Sequence, residues 1–294
     1  MIVTMDVFSG MPNPTWRLEG KELRQFVSRL AGKAMAAADA TDGALGFRGY
    51  VISAVSDDMA ATAGLADEFR LGGGFFTRGV TAAGFALPAI AAAEEDEAAL
   101  WLLGTAKGAV PDDVLDYVKG FVQARAKLSG PGSPAKAVRK TPEPAVKAPC
   151  VIQNTPYNPG FWNVPAVQPR NNCYNYAMNF RSDTFAQPGR ISGHPNNVMQ
   201  CPNVAAAANF DGCTAVCSGR NKNVALVIWP GRDYHWYRKH SNGFWGHKPG
   251  QTAARNIDNL GRVIGGALTP QNCNRGPYTV FCGYRYSPVG MRVA

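Results

Sequence analysis

The cysteines of this 294-residue chain all lie on one side of a proline-, alanine- and lysine-rich tract, and the charge balance changes sign across it. Residues 1–127 hold 12 Lys and Arg against 16 Asp and Glu, and no cysteine. Residues 150–294 hold 14 Lys and Arg against four Asp, together with all seven cysteines. The tract between them, 128–149, has almost nothing to bury and suits an extended, semi-rigid spacer. The composition therefore predicts a domain at 1–127, a linker at 128–149 and a basic, cysteine-rich domain at 150–294. The most apolar run, Val80–Ala93, contains Pro88 and stops at Glu94, short of the roughly 18 apolar residues that a membrane span needs. Residues 1–12 lack the basic-then-apolar pattern of a secretory leader.

The hydropathy pattern predicts α+β structure in both halves. In the first, Ile2–Phe8 alternates as a strand does, and Ser9-Gly-Met-Pro-Asn-Pro14 has turn chemistry. Leu23, Phe26, Val27 and Leu30 recur at helical spacing within Glu19–Leu30. Strands are expected at Phe47–Val55 and Glu68–Thr77, and helices at Ile90–Gly104 and Pro111–Ala126. Gly72-Gly-Gly lacks the lysine and the strand–helix context of a phosphate loop. No catalytic constellation is visible here, and a docking or delivery role is expected.

In the second half, helices are expected at Cys173–Phe180 and Val204–Phe210. Strands are expected at Val224–Trp229, Tyr234–Lys239, Phe244–His247 and Tyr278–Tyr286, with hairpin turns at Pro230-Gly-Arg-Asp and Ser241-Asn-Gly. The expected centre is a small antiparallel sheet.

Two side chains here suggest nucleophilic chemistry. Asn171 or Asn172 can cap the short helix, which puts Cys173 in a first turn where N–H groups favour a thiolate. His235, in Asp233-Tyr-His-Trp-Tyr237, falls on a strand after the apolar one and suits a general base. Gln168, five residues before Cys173, is a candidate oxyanion donor. His247, Asp233 and Asp258 are candidates to orient the imidazole. The other reading makes Cys173 a structural cysteine and the histidines hydrogen-bonded members of an aromatic sheet face.

This stretch resembles, loosely, the CHAP and NlpC-type amidase and peptidase domains, which have a papain-like layout. That resemblance implies a thiol hydrolase, with the difference that Val224-Ala-Leu-Val-Ile-Trp229 has no histidine and His235 arrives on the next strand. A second resemblance covers more of the chain. Asn172-Cys-Tyr-Asn-Tyr-Ala177, Asp183-Thr-Phe-Ala-Gln-Pro-Gly-Arg190, Asp233-Tyr-His-Trp-Tyr-Arg238, Trp245-Gly-His-Lys-Pro-Gly250 and Phe281-Cys-Gly-Tyr284 resemble the insoluble matrix shell protein family, bacterial hypothetical proteins included. It implies an extracellular, cysteine-containing domain and no particular reaction.

Apart from Cys173, six cysteines remain. Cys273 with Cys282, and Cys201 with Cys213 or Cys217, are the expected disulfides. The competing arrangement is a zinc set of His194, Cys201, Cys213 and Cys217. His235 and His247 facing one another would form a two-histidine metal site only with a third ligand, and none is evident. His240, beside a turn, is expected to face solvent. The basic balance, with Tyr and Trp interleaved, fits a peptide, peptidoglycan or anionic polysaccharide surface. Nucleic acid is disfavoured, because the basic residues are scattered and no recognition module is present.

The favoured expectation is thus a secreted or cell-surface protein needing no cofactor. Its C-terminal domain would be a thiol hydrolase acting on peptide or cell-wall amide bonds. The alternative is a non-enzymatic, disulfide-stapled extracellular binding or matrix protein.

Overall fold

Alternating apolar residues at the N-terminus form a short interior strand in the computed structural model, which describes residues 1–33, 36–37, 43–53, 65–72, 92–106, 108–127 and 149–294. The tract at 128–148, most of the apolar run at 80–93 and the second and third residues of the triple glycine lie outside the described residues. The chain forms two compact units. One comprises Met1–Val7, Asn13–Asp42 and Phe47–Ser133; the other comprises Phe8–Pro12, Gly43–Gly46 and Pro134–Ala294. The second unit therefore includes two short segments that are remote from it in sequence.

The first unit is built on an antiparallel sheet of β1 (Ile2–Met5), β2 (Thr15–Arg17), β3 (Ala36–Ala37), β4 (Tyr50–Ser53) and β5 (Glu68–Leu71), in the order β2-β1-β4-β5-β3. Its helices are α1 (Gly20–Leu30), α2 (Ala92–Thr105) and α3 (Asp112–Lys127). Phe26, Val27 and Leu30 form the buried stripe of α1. Pro111 precedes α3, whose first turn carries Asp112 and Asp113, as the helix dipole favours. Asp6 is buried between Arg48 (2.6 Å) and Arg70 (2.9 Å). Burial alone would raise its pKa, but the two guanidiniums outweigh that and hold it at about 2.

In the second unit, β7 (Gly219–Trp229), β8 (Asp233–Lys239), β9 (Trp245–His247) and β10 (Val280–Pro288) form an antiparallel sheet in the order β10-β7-β8-β9. β6 (Cys150–Ile152) adds in parallel to the start of β7. α4 (Cys173–Met178) packs on β8 and β9, and α5 (Cys201–Phe210) packs on β7 and β10. Between helices and sheet lie Tyr174, Met178, Val204, Ala208, Val224, Leu226, Ile228 and Trp236, all buried. β8 is buried along nearly its whole length, so both faces of a polar-looking strand are interior.

The disulfides differ from those expected. The parallel pairing of Cys150 with Gly219 brings Cys150 to Cys217. A bulge between Phe281 and Gly283 accompanies Cys282, which bonds to Cys201 at the start of α5. Cys273 therefore does not pair with Cys282, nor Cys201 with Cys213 or Cys217. Cys173, Cys213 and Cys273 are free and buried.

Candidate functional site

Asn172 caps α4. Its side chain accepts the N–H groups of Tyr174 (3.0 Å) and Asn175 (3.2 Å), and Asn175 returns the bond by accepting the Asn172 N–H (3.1 Å). Cys173 follows the cap directly, in the first turn. Its surroundings oppose ionisation, however. Complete burial raises the thiol pKa first, and the nearby Asp233 carboxylate raises it further. Its sulfur lies 3.9 Å from the Tyr234 carbonyl oxygen, to which the S–H donates.

The β8–β9 pairing sets His235 and His247 side by side. His235 Nε2 lies 2.9 Å from His247 Nδ1, and His247 Nε2 lies 2.9 Å from the Ile257 carbonyl oxygen. A carbonyl only accepts, so with both imidazoles neutral the protons along the row run in one direction. His247 must donate from Nε2 and accept at Nδ1. His235 must then donate from Nε2 and accept at Nδ1. The group facing His235 Nδ1 is the Ser9 hydroxyl at 2.5 Å, which therefore donates. Ser9, His235 and His247 form a directed relay ending on a backbone carbonyl. Burial, its largest cause, pushes His247 down to about 3, so it is neutral at ordinary pH.

Ser9 is the residue that sequence reasoning missed. Ser9-Gly10 between Phe8 and two prolines reads as a turn, and nothing local shows a turn serine meeting a histidine 226 positions later. Asp233 explains the meeting. Its carboxylate accepts the N–H groups of Ser9 (2.5 Å), Gly10 (3.1 Å) and Met11 (2.8 Å), and the Tyr278 hydroxyl. Burial raises its pKa to about 6 against those stabilising bonds.

The remaining candidates lie in other roles. Asp258 accepts from Arg262 (2.6 Å) and from the N–H groups of Leu260, Arg262 and Asn274, while the Ile257 carbonyl is what holds His247. Gln168 opens a short 3-10 turn, and its carbonyl accepts from Lys248 Nζ at 2.6 Å. His240 is buried rather than solvent-facing: it bonds the Tyr176 hydroxyl (2.7 Å) and the Thr155 carbonyl (3.2 Å). The zinc set is not assembled. Cys201 and Cys217 belong to different disulfides, and His194 stacks on Phe210 with ring centres 3.8 Å apart. Among the described residues no group of three or more His, Cys, Asp or Glu is arranged to hold a metal. Nor is any described helix long and apolar enough to cross a membrane.

The charge on residues 150–294 is distributed unevenly between interior and surface. All four carboxylate side chains, Asp183, Asp211, Asp233 and Asp258, are buried or half-buried and accept internal hydrogen bonds. Arg170, Arg181, Arg190, Arg220, Arg262 and Arg292 are exposed. The three lysines of this region, Lys222, Lys239 and Lys248, are not.

No family model matches the chain. No solved structure matches it either. Insoluble matrix shell protein 1 of Ruditapes philippinarum is 46% identical over 136 residues, covering 45% of this chain and 90% of that protein. The likeness to CHAP and NlpC-type domains has no counterpart in these comparisons. At that identity and coverage, the chain belongs to the family of insoluble matrix shell protein 1.

Proposed function

We propose that this chain is a secreted, disulfide-stapled matrix protein whose second unit binds anionic polysaccharide. The arginine surface carries the reading. In a region with 14 basic and four acidic residues, the acids are buried or half-buried and the exposed charged side chains are arginines, of which Arg170 and Arg262 pair with Asp183 and Asp258. Guanidinium forks match carboxylate and sulfate geometry in pairs of hydrogen bonds, so such a surface favours acidic polymers. Two disulfides and the family relationship support an extracellular setting. The test is retention on immobilised alginate against neutral dextran as salt is raised. Retention on alginate, with elution at lower salt after Arg190→Gln, Arg220→Gln and Arg292→Gln together, is the expected result. Equal retention on both polymers would sink the reading.

One observation favours the thiol hydrolase as a second reading: the relay through His235 and His247 lies on the strands that α4 and Cys173 pack against. Against it stand the buried, un-ionised thiol and the occupation of His235 Nδ1 by Ser9. Iodoacetamide labelling of the native chain from about pH 5 to 8, with peptide mapping, separates the readings. Rapid labelling at Cys173 in the acid half of that range supports the hydrolase; no labelling removes it.

A further inference from the structure

Phe8–Pro12 is held in the second unit as a ligand is held. The carbonyl of Ser9 accepts from the Gly250 N–H (3.1 Å), and that of Gly10 accepts from Asn172 Nδ2 (3.1 Å), Gln187 Nε2 (2.8 Å) and the Tyr234 hydroxyl (3.3 Å). With three successive N–H groups on Asp233, every main-chain polar group from the Ser9 N–H to the Met11 N–H is matched. The side chains are read as well. The Ser9 hydroxyl meets His235 Nδ1 at 2.5 Å. A Cβ on Gly10 would come within 3.0 Å of the Tyr234 ring, so only glycine fits. Phe8 packs edge-on against Trp229, ring centres 5.7 Å apart.

The partners are supplied by residues 172–250, while the chain on either side of the segment, Met1–Val7 and Asn13 onward, belongs to the first unit. A core contact needs shape and apolar area. This one instead specifies a hydroxyl, a glycine and an unbroken row of amides, which is sequence recognition.

We infer that Asn172, Gln187, Asp233, Tyr234, His235 and Gly250 form a peptide-binding cleft selective for a Ser-Gly turn, filled in this chain by its own Phe8–Pro12. Its ligand class is a main-chain turn of sequence aromatic-Ser-Gly, offered in cis here and available to another chain's segment when the cis copy leaves. The inference concerns the interior of the second unit and not its arginine surface, so it and the polysaccharide reading fail separately.

The test uses the full chain carrying Gly10→Val, which cannot seat its own segment, and a fluorescent peptide of residues Met5–Pro14 as probe. The peptide should bind the variant about tenfold or more tighter than the wild-type chain, whose cleft is filled. A peptide carrying Ser9→Ala should bind about tenfold weaker, and one carrying Gly10→Val not at all. Equal binding by both chains, or by the wild-type and Gly10→Val peptides, overturns the proposal. Should the variant chain not fold, hydrogen exchange in the wild-type chain decides. Amides of Ser9–Met11 exchanging well ahead of those in β7 and β8 show a segment that leaves by itself. Exchange at the global rate shows a core element and overturns the cleft.

Discussion

The protons along Ser9, His235, His247 and Ile257 have one consistent arrangement when both imidazoles are neutral. An unfolded histidine titrates near its ordinary value of 6.5, whereas His247 in the fold is held at about 3 and His240 at about 4. Between those values the unfolded chain binds the extra protons. These two groups therefore contribute stability that is full above 6.5 and falls with the pH, about 1.4 kcal/mol per unit for each. Asp233, raised to about 6, acts in the opposite sense: its contribution is full below 3.8 and lost as pH rises through about 6. With two groups against one, urea midpoints should fall as pH drops from about 6 to 4. His247→Asn, which can still accept from His235 and donate to Ile257, should flatten that slope by about one proton. An unchanged slope would show that His247 is not the group being charged. The thiols give a second residue-scale prediction. Cys173, Cys213 (raised to about 12) and Cys273 (raised to about 11) are buried, and desolvation is the largest cause of each shift. Intact-mass counting with iodoacetamide at neutral pH should find no fast label on the native chain, three labels in urea, and seven after reduction. Any label on the native chain contradicts that burial.

Element boundaries followed the apolar spacing closely where packing and propensity agree. Helix α1 was expected from Glu19 and begins at Gly20; α3 was expected from Pro111 and begins at Asp112. In the second unit β8, β9 and β10 fall within a few residues of their expected limits, β6 has no counterpart among the expected strands, and β7 runs five residues further toward its N-terminus through Gly219-Arg-Asn-Lys-Asn. That extension is polar and gives no alternation to read. It exists because β6 and β10 pair with it, a long-range cause. Disulfide pairing was illegible for the same reason, since both bonds span long loops, of 67 and 81 residues. Closing loops of that length should make each bond worth about 2–4 kcal/mol. Cys201→Ser with Cys282→Ser should cost that much in urea unfolding, because the pair ties α5 to β10. A loss near zero would show that α5 is held by packing alone. Lys248 makes a comparable tie between elements. Its ammonium donates to the carbonyls of Gln168 (2.6 Å), Asn171 (2.5 Å) and Gly250 (2.8 Å), joining the turn before α4 to the end of β9. Lys248→Met strands those carbonyls and should destabilise by about 3 kcal/mol; a neutral result would mean water replaces the ammonium.

For the molecule as a whole, the sequence showed the asymmetry of charge and the grouping of Cys173, His235 and His247 near one sheet, but not what completes that group. The missing parts, Ser9 and Gly10, lie in a segment more than 160 residues away, and no local period encodes a contact of that span. Nor could charge counting say which acids are interior. Folding buries or half-buries all four carboxylates of residues 150–294 and leaves arginine as the exposed cation. At this scale the prediction concerns ionic strength. Elution from alginate should follow salt steeply, because exposed charges are screened over about 8–10 Å at moderate ionic strength. A salt-independent retention would mean a different mode of adhesion.

The composition of that surface has a bearing on its chemistry over time. Guanidinium holds its proton throughout the biological range, and Arg181, Arg190, Arg220 and Arg292 stand exposed without an ion pair to a carboxylate among the described residues. A change of pH in the surroundings leaves the charge of those arginines unchanged. Contacts made through them would release on competition by another polyanion or on a rise in salt, while ordinary swings of acidity pass without effect.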